Sequence, residues 1–146
     1  MKKKSTHFLK QLLLAALSIC LITGMTACSK KVVFGTSTVV PAATGKVKMK
    51  KDRNNNYALD ISIENLTSPK RLDPPKNVYV AWIETDNSGA KNIGQISSSS
   101  GLFSSELKGS LETVTSFKPK RIFISAEDDA TVQYPGMLIV LRTNEF

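Results

Sequence analysis

Tyr57-Ala58-Leu59-Asp60-Ile61-Ser62-Ile63-Glu64 is the stretch that decides the fold. Tyr57, Leu59, Ile61 and Ile63 fall at every second position, with Ala58, Asp60, Ser62 and Glu64 between them. Successive side chains of an extended chain point to opposite faces. The alternation therefore predicts a strand with one face buried and the other in water. Just upstream, Gly45-Lys46-Val47-Lys48-Met49-Lys50 alternates in the same way, with Val47 and Met49 on one side and three lysines on the other. Asp52-Arg53-Asn54-Asn55-Asn56 lies between the two runs, and Asn and Asp tolerate left-handed backbone and bond their own main chain. The two runs are expected to form a hairpin.

Downstream the same period continues. Residues 67–75 form a loop with three prolines, which remove donors and block pairing. Asn77-Val78-Tyr79-Val80-Ala81-Trp82-Ile83-Glu84-Thr85 is apolar on both faces and should be a central strand. Asp86-Asn87-Ser88-Gly89 turns the chain, and Lys91 to Ile96 returns it. Ser97-Ser98-Ser99-Ser100-Gly101 is expected to be a flexible loop. Leu102 to Leu107 and Gly109 to Thr115 are weaker strands, Phe117-Lys118-Pro119 is a bend, and Arg121 to Ala126 and Met137 to Leu141 are strong strands. No segment shows a helical period. About seven or eight short strands with frequent turns predict an all-β domain, a two-sheet antiparallel sandwich of immunoglobulin-like kind.

The first residues follow another logic. Lys2, Lys3, Lys4 and Lys10 carry positive charge with no acid among them, and an apolar run from Leu12 to Ile22 follows. Small residues then lead to Cys28. A charged start, an apolar middle and a small-residue end make a secretory signal. Met25-Thr26-Ala27-Cys28 resembles the lipobox of bacterial lipoproteins, with Met25 where Leu is usual. The resemblance implies cleavage before Cys28 and a lipid joined to its sulfur. An uncleaved membrane helix and a plain secretory signal are the alternatives. The run is short for a span, which takes about 20 apolar residues. The chain thus divides into a signal over residues 1–27, a lipidated cysteine and tether over 28–44, and a domain over 45–146. Val32-Val33-Phe34 and Thr38-Val39-Val40-Pro41 are too apolar for a pure tether, so an edge strand can lie there. The protein is expected on a cell membrane or outer membrane, with its domain facing the periplasm or exterior.

Charge and composition narrow the function. The chain carries +8, and removal of the four signal lysines leaves +4, too modest to suggest nucleic acid as a partner. The only two cysteines are Cys20, inside the apolar run, and Cys28; the only histidine is His7. The remainder has no imidazole or free thiol, which excludes Ser-His-Asp and Cys-His hydrolysis and zinc held by His or Cys. No enzyme and no cofactor are expected. A carboxylate-based enzyme acting on glycan is the least favoured alternative. Its only acidic cluster, Glu127-Asp128-Asp129, sits at a strand end where neighbours point apart. The same cluster offers oxygens to calcium, but a solvated turn explains it as well.

Three further features are candidates for binding. Lys46, Lys48 and Lys50 share one face and could meet an anionic surface of lipid, lipopolysaccharide or acidic glycan. Lysines also guard exposed sheet edges against further pairing, and that use is the expected one. Tyr79 and Trp82 could stack on a sugar, but they lie on opposite faces of a central strand, and core packing is favoured for at least one. Residues 67–75 are the partner loop to expect on general grounds. The partners expected are the membrane, through lipid on Cys28, and an envelope protein or glycan.

Tyr79 and Trp82, Ile93-Gly94, the strand from Ile122 to Glu127, Tyr134-Pro135-Gly136 and the run from Met137 to Leu141 together resemble the C-terminal domain of anti-sigma-K factors. The resemblance covers under half of the chain. It implies a β-sandwich outside the membrane. In that family sigma-factor inhibition belongs to a separate cytoplasmic domain ahead of a membrane helix. Only eleven residues, Met1 to Gln11, precede the apolar run here, so the resemblance implies the outer module alone and offers an envelope regulatory module as the alternative function.

Overall fold

The computed structural model describes residues 29–100 and 107–146. The alternating run at its centre is strand β3 (Tyr57–Leu66), and the lysine run before it is β2 (Thr44–Lys51). They pair antiparallel from Thr44↔Glu64 to Lys51↔Tyr57. The turn closes on Asp52, whose carboxylate accepts the N–H groups of Asn54 and Asn56 at 2.8 Å each. Asn55 takes φ +65°, a left-handed position that Asn tolerates. In β3, Leu59, Ile61 and Ile63 are buried, as their period requires. A bulge at Asn65, φ +58°, turns Leu66 inward again.

The molecule is a two-sheet antiparallel β-sandwich. The remaining strands are β1 (Lys30–Val33), β4 (Val78–Thr85), β5 (Gly89–Gln95), β6 (Ser97–Ser100), β7 (Leu107–Thr115), β8 (Arg121–Glu127) and β9 (Ile139–Arg142). One sheet has the order β1-β2-β3-β7-β6 and the other β5-β4-β8-β9. Val47, Leu59, Ile61 and Ile63 of the first sheet pack against Tyr79, Ala81, Ile83, Ile122 and Ile124 of the second. Strand β4 is central and buried on both faces, as its double apolar pattern predicts.

Several sequence expectations are corrected. Residues 97–100 are not a loop but strand β6, paired with β7 from Ser97↔Ser110 to Ser100↔Leu107. The physical reason lies one residue earlier. Ile96 is buried at a corner, its N–H bonded to Tyr79 O at 2.9 Å, and it carries the chain from β5 in one sheet into β6 in the other. Pairing with β7 then overrides the weak strand preference of serine. The strand expected over 102–107 falls mostly on residues 101–106, outside the described residues, while Leu107 opens β7. Of the two apolar stretches that could hold an edge strand, Val32-Val33 does lie in one, β1, whereas residues 38–41 do not. There the buried Ser37 hydroxyl accepts the N–H groups of Val39 and Val40 at 3.2 and 2.9 Å, a local turn that competes with strand pairing. Phe34, Val40 and Ala43 join the core, so the packed structure begins well before residue 45. Met137 is fully exposed, and the last strand starts at Ile139.

The outer face of the second sheet is also covered. Val80, Trp82 and Phe123 form a second apolar cluster with Val78, Ala90, Val132 and Ile139 around it. The segment 128–138 lies over this face and supplies Val132. Asn92 ties that segment down by donating from its amide to the carbonyls of Ala130 and Val132 at 2.9 and 3.0 Å.

Candidate functional site

Lys46, Lys48 and Lys50 stand exposed on the outer face of the first sheet. Register sets their surroundings. Lys31, Lys48, Asp60 and Glu112 align across β1, β2, β3 and β7, while Val33, Lys46, Ser62, Ser110 and Ser97 form the next row. Lys48 Nζ lies 3.2 Å from Asp60 Oδ2, with both side chains well exposed, so this pair contributes about 0.2–1 kcal/mol at most. A shallow depression of about 440 Å³ is bordered by Lys48, Lys50, Asp60, Glu112 and Val114.

The expectation that these lysines guard an edge is wrong. Strand β2 is flanked by β1 and β3, so its backbone is paired on both sides. The edge belongs to β1, whose exposed Lys30 and Lys31 take the guarding position. The four residues of β1 pair in register outside β2 only in the assembled sheet. Lys46, Lys48 and Lys50 form a charged sheet face rather than an edge.

The acidic triplet separates. Glu127 is buried, not a solvated turn residue. Its Oε1 accepts the Ser125 hydroxyl and the Gly136 N–H, the latter at 2.7 Å. Ser125 Oγ in turn accepts Trp82 Nε1–H at 2.8 Å. Asp128 pairs with Lys76 at 2.8 Å. Asp129 accepts the Thr131 N–H and hydroxyl, both at 2.7 Å, and these bonds hold its carboxyl below the usual range. The three carboxylates do different structural work and do not converge. Among the described residues no group of three or more His, Cys, Asp or Glu side chains gathers to hold a metal.

Tyr79 and Trp82 are both core residues, 2% and 0% exposed. The Tyr79 hydroxyl donates to Thr67 O at 2.9 Å, and burial pushes its pKa up to about 12. Trp82 stacks on Phe123, ring centroids 6.1 Å apart and planes 9° from parallel. Neither ring can meet a sugar. Among the described residues the exposed aromatics are Phe117 and Tyr134, beside an open cleft of about 1010 Å³ between β5, β7 and the covering segment. Sequence reasoning had read them only as a bend and as part of a Tyr-Pro-Gly turn. Proline one residue after Tyr134 and two after Phe117 is the available signal that each ring sits on a turn rather than in the core.

Residues 67–75 are pinned at several points. Pro69–Arg71 form a 3-10 turn, Leu72 is buried, and the Lys76 N–H returns to Pro69 O at 3.0 Å. Cys28 lies outside the described residues, as does the apolar run before it. Among the described residues no helix is long and apolar enough to cross a membrane. Comparison with known proteins found no family model, no curated relative and no solved structure that matches this chain.

Proposed function

We propose that this chain is an extracytoplasmic lipoprotein, held on a membrane through lipid on Cys28, whose β-sandwich acts as a non-catalytic binding or protein-interaction module. The observation that carries the reading is the position of β1. It opens at Lys30, so a single residue, Ser29, separates the candidate lipid site from the sheet. Cleavage before Cys28 would thus remove residues 1–27 and leave β1 and the rest of the described sandwich whole. The non-catalytic part rests on the missing imidazole and thiol after Cys28 and on the three diverging carboxylates.

The residues behind the anti-sigma-K resemblance include Tyr79, Trp82, Glu127 and Gly136, which here pack and bond one another's neighbourhoods. They support a likeness of fold, and a regulatory role is not carried by them.

Metabolic labelling with a radioactive fatty acid tests the anchor. The wild-type chain should be labelled and stay with the membrane fraction. Cys28→Ser should take up no label, and should be released or remain as the uncut precursor. Equal labelling of the two would refute the lipoprotein reading.

A further inference from the structure

We propose that one pole of the sandwich, the end where β1 begins, rests on anionic lipid headgroups and fixes the orientation of the domain on its membrane. The inference depends on the lipid anchor proposed above. Two residue steps separate Cys28 from Lys30 and span at most about 7 Å. That distance is comparable with one headgroup layer and lies within the Debye length of about 8 Å at physiological salt. Charges at this end of the molecule are therefore felt by the lipid surface.

The topology decides which charges they are. Lys30 pairs with Met49, so the start of β1 lies beside Lys50, Lys51 and the 52–56 turn that carries Arg53. Strand β7 ends at the same place, with Thr115 opposite Tyr57, and hands the chain to Phe117 and Lys118. The second sheet brings Lys120 and Arg121 to this pole, along with the acids Glu84, Asp86 and Glu145. Those acids are already taken. Lys120 Nζ lies 3.4 Å from Asp86 and 3.6 Å from Glu145, and Arg121 bridges Glu84 at 2.7 Å and Glu145 at 2.8 Å. Asp52 spends its carboxylate on its own turn.

Among the described residues, Lys30, Lys50, Lys51, Arg53 and Lys118 are in no salt bridge, and all five are exposed. Phe117, 44% exposed, stands beside Lys118. Exposed lysines with an aromatic ring are the composition of a surface that sits at a membrane interface. The opposite pole is mixed: Lys70 and Arg71 share their loop with Asp73, and Lys76 is paired with Asp128. The surface is thus complementary to anionic lipid at the end nearest the anchor.

The test uses the full, lipidated chain reconstituted in vesicles of phosphatidylglycerol mixed with phosphatidylcholine. An environment-sensitive dye is placed on Ser116→Cys at this pole or on Lys70→Cys at the other, and the lipids carry a headgroup quencher. Quenching at 116 should exceed that at 70 several-fold, and should fall in pure phosphatidylcholine and at high salt. Replacing Lys50, Lys51, Arg53 and Lys118 with Gln should lower it to the phosphatidylcholine level, with Trp82 fluorescence unchanged as the check on folding. Equal quenching at the two positions in a lipidated chain, or no effect of the four replacements, would overturn the orientation alone. A chain whose mass shows no lipid would remove the anchor and this inference together.

Discussion

Gly136 lies against Glu127. Its N–H donates to Glu127 Oε1 at 2.7 Å, and a Cβ added at Gly136 would stand 2.8 Å from Oε2 of the same carboxylate. The contact closes the segment 128–138 over Trp82 and completes a buried chain of bonds from the indole through Ser125 to the carboxylate. A carboxylate this deep is tolerated because it accepts more than one hydrogen bond.

Breaking that contact should loosen the cover. Glu127→Ala leaves the Ser125 hydroxyl and the Gly136 N–H without their shared acceptor, at a cost of about 1–3 kcal/mol. Gly136→Ala should act in the same direction by pushing the carboxylate aside. Trp82 is the chain's only tryptophan, so denaturant titration followed by its fluorescence reads both variants. An unchanged midpoint in both would show that the segment is held by other contacts.

Tyr79 sets an alkaline limit. Burial raises its pKa to about 12, whereas an unfolded tyrosine titrates near ~10. The neutral phenol therefore stabilises the fold fully below pH about 10, and this contribution is lost as pH rises toward 12. Absorbance of ionised tyrosine should show Tyr79 ionising only as the protein unfolds. Tyr79→Phe should lose the Thr67 bond, about 1 kcal/mol, but should flatten the fall in stability across that window. Ionisation of Tyr79 near pH ~10 in the still-folded protein would contradict the assignment.

Gly109 leaves no room for a side chain. A Cβ there would stand 2.7 Å from Ile96 Cγ2 and 2.7 Å from Leu66 Cδ1. It sits in β7 opposite Ile63 and Ser98, where the corner at Ile96 presses between the sheets. Gly109→Ala should therefore destabilise by about 1–3 kcal/mol, the usual cost of overpacking. Trimming the neighbour in Gly109→Ala with Leu66→Val should recover part of the loss. A melting temperature at or above wild type for the single variant would show that the core can give at this point.

Much of the candidate surface was legible. The alternation in β2 and β3 placed Lys46, Lys48 and Lys50 on one outward face, and Asp52 to Asn56 announced the turn between them. The double apolar pattern of β4 placed it at the centre of a sheet and put Tyr79 and Trp82 on opposite sides. The missing histidine and thiol narrowed the chemistry before any fold was considered. These readings succeed because side-chain direction, turn geometry and reactive groups are properties of short stretches of chain.

The rest depended on which stretches meet. Glu127 is polar and ends a strand, so locally it reads as solvated; only the return of Gly136 nine residues later buries it. Ser97 to Ser100 carry no strand pattern, and it is the pull of Ile96 into the corner and the open side of β7 that make them β6. Lys46, Lys48 and Lys50 looked like edge guards until β1 took the place outside them. In each case a backbone hydrogen-bond partner or an apolar cover comes from a distant part of the chain. A period of two says which way a side chain points, but it carries no information about what will pack against that face. The strands and their faces were therefore written in the sequence, while the order of the sheets, the covered face over Trp82 and the gathering of Lys30, Lys50, Lys51, Arg53 and Lys118 at one end were decided by long-range pairing alone.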